Sequence, residues 1–184
     1  MLSGEAIAQA VKDGLINIEP FDHTQLGPNS YDLRLGDEIK TYTVNEFVCK
    51  DTGINYLDTK ESNASINYTI PKDGMILMPK ILYLGHTKEI AGSDYYIPCI
   101  EGRSSIARLG IFTHFVAGFG DAGFLGQWTL EISVIHPVKI YSGMRICQIY
   151  FESIEGAVSQ LYNGKYKNSR GVIASKLYKD KDLE

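Results

Sequence analysis

Apolar residues recur along most of this chain at every second position, the period of a β-strand with one buried face. Tyr31, Leu33 and Leu35 alternate with polar residues directly after the turn-prone segment 27–29. Comparable short runs, each bounded by turn residues, lie near 38–43, 67–70, 75–78, 81–86, 96–101, 127–135 and 145–151. The pattern therefore predicts many short strands joined by tight turns.

Residues 3–13 have a helical pattern instead. Ser3 fits the N-cap position, Ile7 and Val11 share one helical face, and Gly14 is suited to end the helix. Many strands with one or two short helices predict a mainly β fold, a distorted jelly-roll barrel. The edges of such sheets need cover, and assembly as a trimer is one way to supply it.

The composition fits one globular domain spanning residues 1–184, with 44% hydrophobic and 22% charged residues. No apolar run reaches the length of a membrane span, and the N-terminus has no secretory pattern. The cysteines Cys49, Cys99 and Cys147 are isolated and odd in number, which predicts reduced, buried thiols in a cytoplasmic protein.

The net charge of −4 argues against broad nucleic-acid binding, which needs a basic surface. The C-terminus differs, because six basic residues and only three acidic ones follow from Lys165 onward. A basic tail on an acidic protein suits a small polyanion better than a long one. A solvated, frayed terminus would have the same composition.

The first candidate functional segment runs from Arg103 to Arg108 after Gly102, which permits a sharp turn. Ser104 or Ser105 could cap a short helix there, and free backbone N–H groups with two arginines could bind an anion. An ordinary capped turn with surface arginines fits the same residues.

The second candidate is Glu131, inside an apolar strand. Alternation places Trp128, Leu130, Ile132 and Val134 on one face and Thr129, Glu131 and Ser133 on the other. The glutamate therefore faces solvent or lines a polar pocket. In a pocket, partial desolvation would raise the carboxyl pKa and suit a general base.

The third candidate is the loop 117–126, which has four glycines in ten residues. Its backbone could closely approach a flat ring, and Asp121 could accept a hydrogen bond from a sugar hydroxyl. Phe119 and Phe124 could pack on a base or anchor the loop. A glycine-rich hairpin with an aspartate in its turn is the alternative.

Zinc chemistry has little support in the sequence. Zinc-dependent nucleobase deaminases need a His-x-Glu and a Pro-Cys-x-x-Cys, whereas Pro98-Cys99 is followed by no second cysteine and no histidine has that context. A phosphate-binding P-loop, a nucleophile elbow and a dinucleotide fingerprint are also missing from the sequence.

In order and spacing, four segments resemble the dCTP deaminase branch of the dUTPase superfamily. They are Gly27-Pro-Asn-Ser-Tyr-Asp-Leu-Arg-Leu-Gly36, Glu101-Gly-Arg-Ser-Ser-Ile-Ala-Arg-Leu-Gly110, Thr129-Leu-Glu131 and Lys165-Tyr-Lys-Asn-Ser-Arg-Gly171. The resemblance covers nearly the whole chain. It implies the dUTPase-type barrel and a homotrimer with active sites at the subunit interfaces.

The resemblance also implies deamination of dCTP to dUTP without zinc, with Mg²⁺ accompanying the triphosphate. Glu131 would be the base, the Ala117 backbone and the Ser104 hydroxyl would position the water, and Arg108 would support them from the same or a neighbouring subunit. Asp121 would hold the 3′-hydroxyl. The remaining substrate-binding residues would be Arg103, Ser105, Ile106, Ala107, Thr129, Leu130, Gln148, Tyr162, Lys165 and Ser169.

Further implications are a C-terminal arm, residues 160–184, that closes over the site, a cytoplasmic location, and dTTP as a feedback inhibitor. Neither a membrane nor a nucleic acid is an expected partner. Four positions depart from the family pattern: Gly118-Phe119 replaces His-Arg, Ser169 replaces glutamine, and Val116 replaces threonine.

The Gly118-Phe119 pair resembles the bifunctional members, which convert dCTP to dUMP, ammonia and pyrophosphate. Two other interpretations stay open, a dUTPase without deaminase activity and a nucleotide-binding sensor without catalysis.

Overall fold

The computed structural model of the chain describes residues 1–44 and 47–180. Helix α1 spans Gly4–Lys12, and the Ser3 side chain accepts a hydrogen bond from the Ala6 N–H at 3.2 Å. Gly14 follows with a φ of 73°, as expected for the residue that ends a helix. The predicted helix and both of its end signals are therefore confirmed.

Strands dominate the rest of the described chain. They are β1 Asn17–Glu19, β2 Tyr31–Arg34, β3 Glu38–Tyr42, β4 Phe47–Val48, β5 Asn55–Tyr56, β6 Ser65–Thr69, β7 Met75–Leu77, β8 Tyr83–Gly92, β9 Tyr96–Gly102, β10 Ile111–Phe112, β11 Leu125–Val134, β12 Val138–Ile140 and β13 Arg145–Ser153. A second helix, α2, spans Ser104–Ala107, and 3-10 turns occupy His23–Gln25 and Leu177–Lys179. Every run predicted as a strand is one.

The strands form antiparallel sheets. The largest has the order β10-β11-β8-β3-β6, with β1 also paired to β8. A second sheet has the order β2-β13-β9, and two small sheets pair β7 with β12 and β4 with β5. The predicted mainly β fold is confirmed.

Buried side chains from the two larger sheets and α1 form one core. β11 buries every second residue from Gly126 to Val134, and Ile132 is completely inaccessible to solvent. Phe151 from β13 and Ile7 from α1 belong to the same core. Burial of each such side chain stabilises the fold by roughly 1.5–3 kcal/mol.

The register of β11 against β8 shifts between Gln127 and Thr129. At this irregularity the Trp128 N–H donates to the Thr87 hydroxyl at 2.9 Å, so it stays satisfied without a backbone partner. Such register irregularities re-aim the side chains beyond them. Glu131 follows within the same strand, on its half-buried face.

The cysteine prediction is partly wrong. All three thiols are free and Cys99 and Cys147 are buried, but Cys49 is only half-buried because it lies beside the small β4–β5 sheet. Among the described residues, no helix is long and apolar enough to cross a membrane.

Candidate active site

A cavity of about 650 Å³ opens on the half-buried face of β11. Thr129 and Glu131 of β11 line it together with Ala117 and Asp121 of the glycine-rich loop. Residues of the C-terminal arm and of the segment 57–63 also line it. Three separately predicted features, the strand glutamate, the loop and the arm, thus meet at one place.

The Glu131 carboxylate lies in this cavity and is half-buried. Its Oε2 atom accepts a hydrogen bond from the Phe115 backbone N–H at 3.4 Å, and its own N–H donates to the Thr113 carbonyl at 3.1 Å. Leu84, its partner on β8, also lines the cavity. Glu131 therefore lines a cavity, as one of the two alternatives left open by the sequence proposed, but this cavity is lined mainly by apolar side chains and is not the polar pocket that was expected.

The glycine-rich loop is held by backbone hydrogen bonds. Ile100 N–H donates to the Gly118 carbonyl at 2.7 Å, and Gly120 N–H donates to the Pro98 carbonyl at 2.9 Å. A Cβ atom at Gly118 would lie 2.5 Å from the Ile100 carbonyl oxygen, a distance that no side chain tolerates. The chain path of this loop therefore requires glycine at 118.

The two phenylalanines of the loop differ in role. Phe119 is 67% exposed and lines the cavity. Phe124 packs edge-on against Trp128, with ring centroids 4.8 Å apart, and lies 5.9 Å from the Tyr162 ring. Phe124 thus anchors the loop to the core and to the arm, while Phe119 stays available to a ligand.

The arm, described to residue 180, runs along β11 and lines the cavity. Tyr162 N–H donates to the Ala122 carbonyl at 2.8 Å, and Asn168 N–H donates to the Leu125 carbonyl at 2.7 Å. Tyr162 and Ser169 reach the cavity, although the Ser169 hydroxyl donates to the Tyr166 carbonyl. Residues 181–184 of the predicted arm lie outside the described residues.

Lys165 of the arm does not line this cavity. Its Nζ atom lies 2.5 Å from both carboxylate oxygens of Asp180, and this hydrogen bonding raises the pKa of Lys165. The cation expected to meet phosphate thus has an internal carboxylate partner.

A second cavity, of about 590 Å³, contains the other group of predicted residues. Arg103, Ser104, Ser105, Ala107 and Gln148 line it. The Arg103 Nε atom lies 2.9 Å from an Asp32 carboxylate oxygen, and Gln148 donates to the Gly102 carbonyl at 3.0 Å. Two groups on its wall, the Thr113 hydroxyl and His114 Nδ1, are buried without a hydrogen-bond partner in the described part of the chain.

The predicted serine cap of α2 is wrong. Arg103, with extended backbone angles, occupies the N-cap position, no side chain caps the helix, and Ser104 and Ser105 are its first two residues. The extended backbone at Arg103 coincides with its ion pair to Asp32 on β2. Both serines are exposed and line the second cavity.

Within one chain the predicted site is divided. The two cavities share no lining residue, and the segment 113–117 lies between them, with Thr113 and His114 on one side and Phe115 and Ala117 on the other. Arg108 lines neither cavity and is exposed. The side chains of Ile106 and Leu130 belong to the core, so only their backbone atoms could contact a substrate.

Sequence reasoning missed the segment 57–63 and Tyr42, which line the outer part of the first cavity. Asn63 fixes this segment by donating to the Asp58 and Glu61 carbonyls at 2.7 and 3.1 Å, while its oxygen accepts from the Asp58 N–H. Aspartate and asparagine favour turns, so Asp58 and Asn63 are the local signal that could have indicated an ordered turn here.

Among the described residues, no three histidine, cysteine, aspartate or glutamate side chains converge as a metal site.

Comparison with known proteins places this architecture in a family. Residues 1–154 match the family model described as dCTP deaminase-like. A protein of Clostridium acetobutylicum named "dCTP deaminase, dUMP-forming" is 46% identical over 180 residues, covering 98% of both chains. A protein of Leptospira biflexa with the same name is 45% identical over 180 residues, covering 98% of this chain and 97% of the relative.

A solved 2′-deoxycytidine 5′-triphosphate deaminase from Agrobacterium tumefaciens has the same fold, with a TM-score of 0.59 and 24% identity. The match covers 82% of this chain and 47% of that one. The family model and the curated relatives together extend over nearly all of the sequence. This chain therefore belongs to the dCTP deaminase-like family.

Proposed function

We propose that this protein hydrolyses dCTP to dUMP, ammonia and pyrophosphate, with deamination as its first step. The observation that carries the proposal is the placement of Glu131, half-buried in a cavity that Ala117, Asp121 and Thr129 also line. Relatives that are 45–46% identical over 98% of the chain are named "dCTP deaminase, dUMP-forming". Each finding supports a hydrolase of nucleotide metabolism.

In the proposed deamination, the Glu131 carboxylate takes a proton from a water molecule whose oxygen attacks C4 of cytosine. Glu131 then delivers protons to N3 and to the amino group, which leaves as ammonia. A well-placed proton-transfer group contributes roughly 10²–10⁴ in rate. The Ala117 backbone and the Ser104 hydroxyl would hold the water, and Arg108 would stabilise the charge that develops.

The second step would cleave dUTP to dUMP and pyrophosphate with another water molecule. Two observations favour it over release of dUTP. The loop path excludes any side chain at Gly118, so the histidine expected of deaminases that stop at dUTP does not fit this backbone. The curated relatives also have "dUMP-forming" in their names.

The division of the site supports a homotrimer. Ser104, Arg103 and Gln148 line one cavity, whereas Glu131 and Asp121 line the other. We infer that the second cavity of one subunit faces the first cavity of its neighbour, so that two chains complete each site. In a closed trimer each subunit would supply both halves once.

The substrate would be bound by its base, its sugar and its phosphates. Thr129 and the backbone of Leu130 would face the base, Asp121 would accept a hydrogen bond from the 3′-hydroxyl, and Arg103, Ser105, Tyr162 and Lys165 would bind the phosphates. Backbone atoms of Ile106 and Ala107, with Gln148 and Ser169, would complete this set.

We propose that Mg²⁺ accompanies the triphosphate and is held mainly by its phosphate oxygens. A cytoplasmic location fits the free thiols of Cys99 and Cys147. A product-like nucleotide such as dTTP would compete for the same cavity as a feedback inhibitor.

The proposal is tested by incubating the purified protein with dCTP and Mg²⁺ and quantifying ammonia, dUTP, dUMP and pyrophosphate over time. Equal amounts of ammonia, dUMP and pyrophosphate are expected. Ammonia with dUTP as the end product would leave only the deaminase step. In a parallel incubation with dUTP, formation of dUMP together with no ammonia from dCTP would overturn deamination.

A further inference from the structure

The Gln127 side chain connects the C-terminal arm to the main sheet. Its Oε1 atom accepts a hydrogen bond from the Gly171 N–H at 2.6 Å, and its Nε2 atom donates to the Lys88 carbonyl of β8 at 3.1 Å. One amide group thus touches the arm with one end and the neighbouring strand with the other. The bond to β8 fixes the orientation of the amide, so that its oxygen is directed at the arm.

The arm follows β11 in the same direction as the strand. Asn168 N–H donates to the Leu125 carbonyl at 2.7 Å, Gln127 N–H donates to the Ser169 carbonyl at 2.9 Å, and Ile173 N–H donates to the Thr129 hydroxyl at 3.3 Å. β10 pairs with β11 only at residues 133–134. The arm therefore covers the part of the β11 edge that β10 leaves open, where unpaired backbone groups would otherwise remain.

The close approach of the arm depends on Gly126. A Cβ atom there would lie 2.9 Å from the Ser169 nitrogen, so a larger residue would force the two backbones apart. Gly171, with a φ of 65°, makes the turn that presents its N–H to Gln127. Two side chains of β11 accept hydrogen bonds from backbone N–H groups of the arm, Gln127 from Gly171 at 2.6 Å and Thr129 from Ile173 at 3.3 Å, so the Gln127 bond is the shorter of the two.

The geometry points to Gln127 as a positioning residue that sets the location of the arm over the cavity, a role that rests on the proposed function. Arm residues Tyr166, Ser169 and Ile173 line the same cavity as Glu131, which lies four positions beyond Gln127 on β11. A loosened arm would widen that cavity on the side expected to hold the phosphates. Loss of Gln127 should therefore weaken substrate binding more than it slows the chemical step.

The test compares three variants of the full chain. Gln127→Ala removes both side-chain bonds, and Gln127→Glu keeps an acceptor for the Gly171 N–H while losing the donor to Lys88. Gln9→Ala is the matched control, because it removes an exposed glutamine of α1 that bonds only to Asp13. Trypsin cleavage after Lys165, Lys167 and Arg170 measures arm opening, and steady-state kinetics with dCTP separate KM from kcat.

The arm of Gln127→Ala is expected to be cleaved roughly tenfold faster than the arm of the wild type, because the strong hydrogen bond to Gly171 is lost. KM should rise by a similar factor, and kcat should stay within about threefold of the wild-type value. Gln127→Glu should fall between the wild type and Gln127→Ala in both cleavage rate and KM, because it keeps the acceptor for the Gly171 N–H but places a carboxylate oxygen near the Lys88 carbonyl. Gln9→Ala should change neither quantity. Wild-type cleavage and wild-type KM in Gln127→Ala would overturn the proposal. If the arm of Gln127→Ala is cleaved faster but the wild-type protein never releases ammonia, the proposed function is overturned while the role of Gln127 in holding the arm still stands.

Discussion

The Glu131 carboxylate accepts a hydrogen bond from the backbone N–H of Phe115, at 3.4 Å. Phe115 belongs to the segment 113–117 that lies between the two cavities, so this contact joins the candidate base to the segment that carries Ala117. The same segment accepts the Glu131 backbone N–H through the Thr113 carbonyl at 3.1 Å. Displacement of residues 113–117 would therefore move both the base and the backbone expected to hold the water.

Asp180→Asn should strengthen binding of dCTP. Asp180 neutralises Lys165 in the unliganded chain, and a triphosphate would have to replace it at the ammonium group. Because this ion pair is partly exposed, its loss should lower KM by no more than about fivefold at low salt. The difference should shrink at high ionic strength, where exposed charges are screened.

Kinetics at two salt concentrations check this expectation, with Asp94→Asn as the control for loss of an exposed carboxylate outside the arm. A raised KM in Asp180→Asn would indicate that Asp180 organises the arm rather than competing with phosphate.

Gly118→Ala should destabilise the loop. The new methyl group would lie 2.5 Å from the Ile100 carbonyl oxygen, so the hydrogen bond from Ile100 N–H to the Gly118 carbonyl would break or shift. Overpacking of this kind costs about 1–3 kcal/mol. Gly102→Ala is the matched change, because a Cβ there would meet nothing closer than the Thr113 hydroxyl at 3.6 Å.

Thermal or denaturant unfolding measures the stabilities of the two variants, and Gly118→Ala should be the less stable one. Equal stability of Gly118→Ala and Gly102→Ala would contradict the steric requirement for glycine at 118.

Glu89→Ala should be far more damaging to stability. Glu89 is completely buried and accepts hydrogen bonds from Arg34 Nε at 2.6 Å, the Arg34 N–H at 2.8 Å and Gln25 Nε2 at 3.2 Å. Removal of one partner of a buried ion pair costs about 3–5 kcal/mol, and because the Arg34 side chain is 22% exposed, the loss should lie towards the lower end of that range. The neighbouring exposed Lys88 offers a control, since Lys88→Ala should change the unfolding free energy by less than about 0.5 kcal/mol.

Chemical denaturation, followed by a spectroscopic signal of the folded state, measures the unfolding free energies of Glu89→Ala and Lys88→Ala. A loss below about 1 kcal/mol in Glu89→Ala would show that water or a rearranged side chain replaces the carboxylate.

The three thiols should react at different rates with a thiol reagent. Hydrogen bonds from Thr52, first from its side chain and then from its backbone, lower the pKa of Cys49, which is also partly accessible. Burial raises the pKa of Cys99 and of Cys147. Because the thiolate is the reactive form, we expect one fast thiol in the native protein and two more only on unfolding. Mass mapping of the modified peptide identifies it, and early modification of Cys147 would contradict its burial.

The local features of the site could be predicted from the sequence, and its long-range arrangement could not. Alternation along β11 correctly separated Trp128 and Leu130 from Glu131, because a period of two is set within the strand. The pairing of β7 with β12 joins residues more than 60 positions apart, and no local pattern encodes it. The same limit applies to the Lys165–Asp180 ion pair and to the arm contact of Gln127.

The separation of the predicted residues into two cavities also lay beyond sequence reasoning. Arg103 and Glu131 are close in the chain, which suggested one site, but Arg103 is directed at Asp32 of β2 whereas Glu131 lies on β11. The direction of each side chain depends on which strand its neighbours pair with. The folded topology determines which strands pair, and the local sequence does not.

The most direct test of the account is ammonia release from dCTP by Glu131→Gln, with Glu155→Gln as the control for an exposed glutamate. The amide keeps the size of the side chain but cannot accept the proton of the attacking water. We predict a folded protein that binds dCTP within about threefold of the wild type and releases ammonia at least about 10²-fold more slowly. Ammonia release near the wild-type rate from Glu131→Gln would contradict the assignment of Glu131 as the catalytic base.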